Sequence, residues 1–262
     1  MNGLFAWNFK AAFAGKWIEF QDFREYTSGD DAKYIDWLTS SREGTVVMRR
    51  YREEKQGDIL CVLDMTESLY FEWNEVKMEV LNEVLELVST ASIGSGESFG
   101  GIIIWDDSSE FIPAQKSMLA LYKLRKYKEV PPRSIKSVWT LKNLTKYNLK
   151  RSIVFVISDS LHIDEQSFRL AAIKHDIVYV HISSYFENTL EWKWMSHLRG
   201  RSKSLAIDLD DENIKKTYKA ERENQLKNFS RRLKQLGVDS IFLDEKKSVF
   251  AEFLYLMKRR ER

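Results

Sequence analysis

The sequence predicts an α/β fold: a mainly parallel sheet with helices on both faces, preceded by an N-terminal extension. Three observations carry this. The runs "DILCVLD", "FGGIIIW", "SIVFVISDS" and "DIVYVHIS" are apolar almost throughout, the pattern of strands buried on both faces rather than one. They alternate with stretches of helical period, which is how parallel strands are connected. The chain has 262 residues, 44% of them hydrophobic and 13% aromatic, enough for one large domain with a sizeable core and too apolar for disorder.

In chain order, "DILCVLD" opens the alternation at residue 58. Val76, Val80, Leu81, Val84, Leu85 and Val88 then fall at helical spacing between about residues 72 and 92. A "GSGES" turn leads to "FGGIIIW", and "EFIPA" reads as a third strand joined through Asp106 to Ser109. Two helices are expected over roughly 117–128 and 135–147, separated by the breaker "VPPR". "SIVFVISDS" is the next strand, followed by a helix around 164–174 and by "DIVYVHIS". A shorter strand "KSLAIDL", a long helix over about 211–236 stopped by Gly237, the strand "DSIFLD" and a terminal helix complete the chain.

Residues 1–57 stand outside this alternation and are read as an extension packed on a domain spanning 58–262. "GTVVMRRY" is strand-like, whereas "EYTSGDDAKYIDWLTSSRE" reads as a compact turn segment. Asp30 and Asp31 are expected to cap a turn, with Ile35 and Trp37 anchoring it to the core. The functional version of the same segment makes Arg24, Asp30 and Asp36 a partner-contact surface.

Composition excludes several classes. The 41 Lys and Arg nearly balance 39 Asp and Glu, so no global charge argument favours nucleic acid. The single cysteine, Cys61, lies within an apolar run, which leaves neither a disulfide framework nor a thiolate metal site. No secretory segment is visible, and no stretch approaches the roughly 18 apolar residues that span a bilayer. A soluble, cytoplasmic protein is expected.

The chemistry gathers at strand ends. In an open parallel sheet, ligands collect beyond the carboxyl ends of the strands, where the strand order reverses. Two apolar strands end on acids, Asp64 and Asp159, and if those strands are neighbours across the reversal both carboxylates face one crevice. The first is followed by Thr66 and Ser68 at alternate positions, so that two hydroxyls can turn toward one point. Such an all-oxygen set suits Mg²⁺ or Mn²⁺ rather than zinc. It leaves the ion short of ligands, and an acidic residue of a partner would complete the shell. The alternative is a metal-free site whose residues serve as hydrogen-bonded loop caps, but two buried carboxylates without a cation would repel. Glu67, inside the loop, is expected to be exposed and to tune the local field. His162 reads as a solvated loop residue, and Trp192 and Trp194 as packing residues.

At this point the sequence resembles a known group. "DMTES" is similar to the D-x-S/T-x-S metal-ion-dependent adhesion motif of von Willebrand factor A domains, and Asp159 in "VISDS" matches their later aspartate. The segment "GKWIEFQDFREYTSGDDAKYIDWLTSSREGTVVMRRYREEKQGDILCVLD" resembles the signature of the bacterial family called domain of unknown function 58. Its matching positions include Glu19, Phe20, Arg24, Tyr26, Gly29, Asp30, Asp31, Asp36 and Trp37. The closing "LGVDSIFLDEKKSVFAEFLYLMKRR" is similar to that family's end. The resemblance implies a von Willebrand factor A-like fold and a non-enzymatic adaptor working with a MoxR-type AAA+ ATPase on a client that presents an acidic residue. It also implies a second-loop hydroxyl ligand; where the pattern has threonine, this chain offers Ser134 or Ser137.

The enzyme alternative is a haloacid-dehalogenase-like phosphotransferase with Asp64 as the nucleophile, since some of those carry D-x-T-x-T after a buried strand. It requires a lysine and a paired acidic motif on later strands, and the sequence places neither. "GSGES" follows a helix and is no nucleophile elbow. No G-x-x-x-x-G-K-S/T occurs, so any ATPase activity belongs to a partner.

Overall fold

The computed structural model describes residues 9, 12, 18–53, 58–65, 75–105, 108–126, 140–191, 198–199, 204–205 and 211–260. Six strands form one sheet: β3 (Ile59–Asp64), β4 (Phe99–Trp105), β5 (Ser108–Gln115), β6 (Ile153–Ser158), β7 (Asp176–Ile182) and β10 (Asp239–Leu243). Their order across the sheet is β10-β7-β6-β3-β4-β5. Every neighbouring pair is parallel except β4 with β5, a hairpin. The chain moves outward from β3 to β4 and β5, then returns to β6 on β3's other side, so the order reverses between β3 and β6. That is the expected class, a mainly parallel α/β sheet with helices on both faces, and it places the switch point between β3, which ends on Asp64, and β6, which Asp159 follows.

Both central strands are buried at every residue, and their alternation divides the core. Ile59, Cys61 and Leu63 face a layer built from helix α2 (Glu75–Gly94), helix α3 (Leu119–Arg125) and helix α7 (Val249–Arg260). Phe9 joins this layer, with its ring stacked 6.0 Å from that of Phe155. Leu60 and Val62 face the other layer, which contains Phe168 of α4 (Glu165–Lys174) and Phe229 and Leu233 of α6 (Glu212–Gln235). Cys61 is fully buried, and burial pushes its thiol far above its ordinary value. The helices start where side chains cap them: Asp164 accepts from the Gln166 amide and Asp211 from that of Asn213.

Several expectations need correction. The helix expected over 135–147 is, among the described residues, only a 3-10 turn at Lys142–Lys146. Leu141 and Leu144, three residues apart, are both buried, a spacing the tighter helix serves. The strand expected from "KSLAIDL" is described only as a two-residue ladder, β8 (Leu198–Arg199) with β9 (Ser204–Leu205). In the N-terminal segment a strand was missed: β1 (Ile18–Glu25) pairs antiparallel with β2 (Val47–Glu53), with an irregularity between Phe20 and Asp22 that breaks the alternation. This hairpin forms its own two-stranded sheet. Trp37 does not anchor the segment, because it opens helix α1 (Trp37–Glu43) and is 69% exposed. Ile35 instead bridges to Met48.

His175 lies between α4 and β7, and burial, with Lys174 and Arg151 nearby, pushes its imidazole down to about 4. The folded value is below the ordinary 6.5. Above pH 6.5 the residue contributes no pH dependence; as pH falls toward 4 the unfolded chain takes a proton that the folded one refuses. Stability should therefore drop by roughly 3 kcal/mol across that window. Urea titrations of wild type and His175→Leu between pH 7 and pH 4 check this; the variant should lose most of the slope.

Candidate functional site

The site sits at the carboxyl ends of β3 and β6. Asp64 is the last residue of β3, 1% exposed, and its Oδ2 accepts a 2.6 Å hydrogen bond from Ser158 Oγ at the end of β6. The Ser160 amide donates to the same Ser158 hydroxyl at 3.0 Å. Tyr179 of β7 donates its phenol to the Ser160 carbonyl at 2.7 Å, fixing the loop that carries Asp159. Burial drives that phenol well above its ordinary value, with the charges of Asp64 and Asp159 adding to the shift.

Asp159 is engaged from the α2 layer by a residue the sequence reading missed. Lys77, 2% exposed, places Nζ 3.1 Å from Asp159 Oδ2 and 2.5 Å from Glu187 Oε1. Glu187 belongs to the short helix α5 (Tyr185–Thr189), where it completes a capping box with Ser184. Its other oxygen accepts the Ser184 amide at 3.0 Å. One ammonium thus ties the end of β6 to α2 and α5. A signal was present: Lys77 stands four residues before Leu81, on the stripe continued by Val84 and Val88.

Next along the sheet, His181 of β7 is fully buried between the rings of Phe229 and Phe242. Burial holds it neutral, and the cations Arg222, Lys77 and Lys247 act in the same direction. Neither of its ring nitrogens has a hydrogen-bond partner among the described residues. Ser183, Asn188 and Asp244 continue a polar rim, with Asn188 Nδ2 2.8 Å from Ser183 Oγ and 3.3 Å from Asp244 Oδ2.

The other sequence-derived residues fall elsewhere. Thr66, Glu67, Ser68, Ser134, Ser137, Trp192 and Trp194 lie outside the described residues. His162 is exposed. Arg24 and Asp30 form a bidentate pair at 2.8 and 2.6 Å that closes the turn after β1. Asp30 also accepts from Thr27, and this set of bonds holds its carboxyl well below the ordinary range. Asp36 caps α1 through the Thr39 amide at 2.9 Å and pairs with Arg49 at 2.6 Å; at 7% exposure, both its oxygens are committed within the chain. Asp31, as expected, caps the turn at Ala32–Tyr34.

Chemically, the described groups are carboxylates and a hydroxyl, with no sulfur and no imidazole aimed at them. Asp64, Asp159 and Glu187 set against Lys77 leave a formal excess of two negative charges among these four groups. That suits a hard divalent cation. Among the described residues, no group of three or more His, Cys, Asp or Glu is placed to hold an ion. A cavity of about 610 Å³ lies away from this chemistry, between α4 and the 3-10 turn, lined by Leu141, Leu144, Leu170 and Lys174. No described helix is long and apolar enough to cross a membrane.

Fold and site together define a mainly parallel α/β domain with two carboxylates at its switch point. The chain belongs to the family described as protein of unknown function DUF58, whose model matches residues 22–228. The likeness read from residues 236–260 lies beyond that match. No curated protein matches the chain. Among solved structures, the chain is similar to the conserved hypothetical protein BatB from Bacteroides thetaiotaomicron, at 11% identity and TM-score 0.41, covering 77% of this chain and 99% of that one. An aerotolerance-related membrane protein from Bacteroides fragilis shows 12% identity and TM-score 0.40 over 78% of this chain and 99% of that one. The PilB minor pilin from Streptococcus sanguinis follows at 10% identity and TM-score 0.38, with 83% and 65% covered. At these scores the likenesses carry no functional inference.

Proposed function

We propose that this protein is a non-enzymatic interaction module whose strand-end site holds Mg²⁺ or Mn²⁺ and captures an acidic side chain of a client. In this reading Asp64, Thr66, Ser68, Asp159 and Ser134 surround the ion. A MoxR-type AAA+ ATPase couples capture to remodelling of the client, in the cytoplasm. Arg24, Asp30, Asp36 and Glu67 belong to the partner-facing surface; Arg24, Asp30 and Asp36 would act there by shaping the hairpin, because their charges are committed to one another and to Arg49. The observation that supports the reading best is the position of Asp64 at the end of β3 and of Asp159 just after the adjoining β6, where the sheet order reverses. Bound there, the ion would supply a Lewis-acidic point for a carboxylate. Chelation should then weaken capture of the ATPase or client by at least about tenfold, a loss of roughly 1.4 kcal/mol. Asp64→Ala should reproduce that loss without unfolding the domain.

One observation favours a second reading. Lys77 supplies, from α2, the lysine that a phosphotransferase using Asp64 as nucleophile would need. Against it stands the burial of Asp64 and the hold of Ser158 on its Oδ2. Turnover of a phosphate monoester that disappears in Asp64→Ala would favour the enzyme.

A further inference from the structure

Lys77 is not among the residues that a strand-end metal site calls for, yet it is buried there almost as deeply as Asp64. A lysine side chain 2% exposed retains its charge at low cost only if carboxylates meet it, and two do. They differ in kind. Asp159 is 6% exposed and belongs to the strand end, whereas Glu187 is 39% exposed and sits at the rim on α5. The ammonium therefore holds an oxygen that a divalent ion would also seek, and holds it through a flexible four-carbon stem. Like charges brought close repel, the more so away from water, so an ion cannot approach Asp159 without opposing Lys77.

We propose that Lys77 is a tethered cation that competes with the divalent ion for Asp159, and that Glu187 is the carboxylate that keeps the ammonium when the ion displaces it. This rests on the metal reading above. With no ion, Lys77 bridges Asp159 and Glu187 and limits the repulsion at the switch point. With the ion bound, the ammonium rests on Glu187 alone, and the link from β6 to α5 is released. The affinity of the site is thereby set by a residue outside the ligand set.

The test is calorimetric titration of Mn²⁺ into metal-stripped protein for wild type, Lys77→Gln, Glu187→Gln and the double variant, with circular dichroism to confirm folding. Gln at 187 keeps the capping box of α5 while removing the charge. Lys77→Gln is expected to bind Mn²⁺ about tenfold more tightly. Glu187→Gln is expected to bind more weakly, because the ammonium turns wholly to Asp159. In the Lys77→Gln background the Glu187 substitution should lose most of its effect, since it acts through the lysine. Equal or weaker binding by Lys77→Gln overturns the competition while leaving the metal reading intact. No binding by any of the four folded proteins overturns both. Should Lys77→Gln fail to fold, Glu187→Gln decides alone: unchanged affinity contradicts the proposal.

Discussion

Arg260→Ala should destabilise the protein by about 3–5 kcal/mol, the cost of stripping one partner from a buried ion pair. Arg260 ends α7 with its side chain 3% exposed. Its guanidinium donates to both oxygens of Asp176 at 2.9 and 3.0 Å, and Nε donates to Asp239 Oδ2 at 2.7 Å. Asp176 and Asp239 open β7 and β10, so one side chain fastens the last helix across the start of both strands. Removing it leaves Asp176, 9% exposed, without its counter-charge. In thermal melts the midpoint should fall by on the order of 10 °C. Adding Asp176→Asn to the variant should recover part of the loss, because the cost is that of an uncompensated charge rather than of a missing contact. Lysine at 260 should not substitute, lacking the planar fork that spans both carboxylates.

Gly100→Ala should cost about 3 kcal/mol, at the upper end for overpacking. A Cβ built there would stand 2.7 Å from Cα and N of Ala114 and from the carbonyl oxygen of Ile112, all backbone of β5. The pairing of β4 with β5 shifts register between Phe99 and Gly101, which brackets Gly100. Nothing there can rotate aside. Gly101 is as restricted: a Cβ built there would stand 2.5 Å from the Cys61 carbonyl oxygen on β3. Gly96 is the control: it has φ +84° but open space around it, so Gly96→Ala should cost only about 1 kcal/mol of backbone strain. Urea unfolding of the three proteins separates contact from conformation.

How far the molecule could be read in advance depends on where each residue's information lies. Strands such as Ile59–Asp64 and Ile153–Ser158 declare themselves because full burial leaves no polar position before their last residue. The acids at or just after their ends stood out for the same reason, but adjacency across the switch point stayed a condition, because alternation of strand and helix does not order the strands; the order comes from the sheet itself. Lys77 was hidden because helical lysines usually face solvent. Only its phase with Leu81, Val84 and Val88 marked it, and the partners that justify its burial lie 82 residues away at Asp159 and further on at Glu187. Strand β1 was obscured by its irregularity, and Trp37, expected to anchor the turn segment to the core, is 69% exposed at the start of a helix.

The central claim, an ion held at the ends of β3 and β6, is tested most directly by calorimetric titration of Mg²⁺ and Mn²⁺ into metal-stripped protein, wild type beside Asp64→Ala. Saturable binding to the wild type, absent from an Asp64→Ala protein with unchanged circular dichroism, is the predicted result. Saturable binding retained in the variant, or none to a folded wild type, would contradict the account.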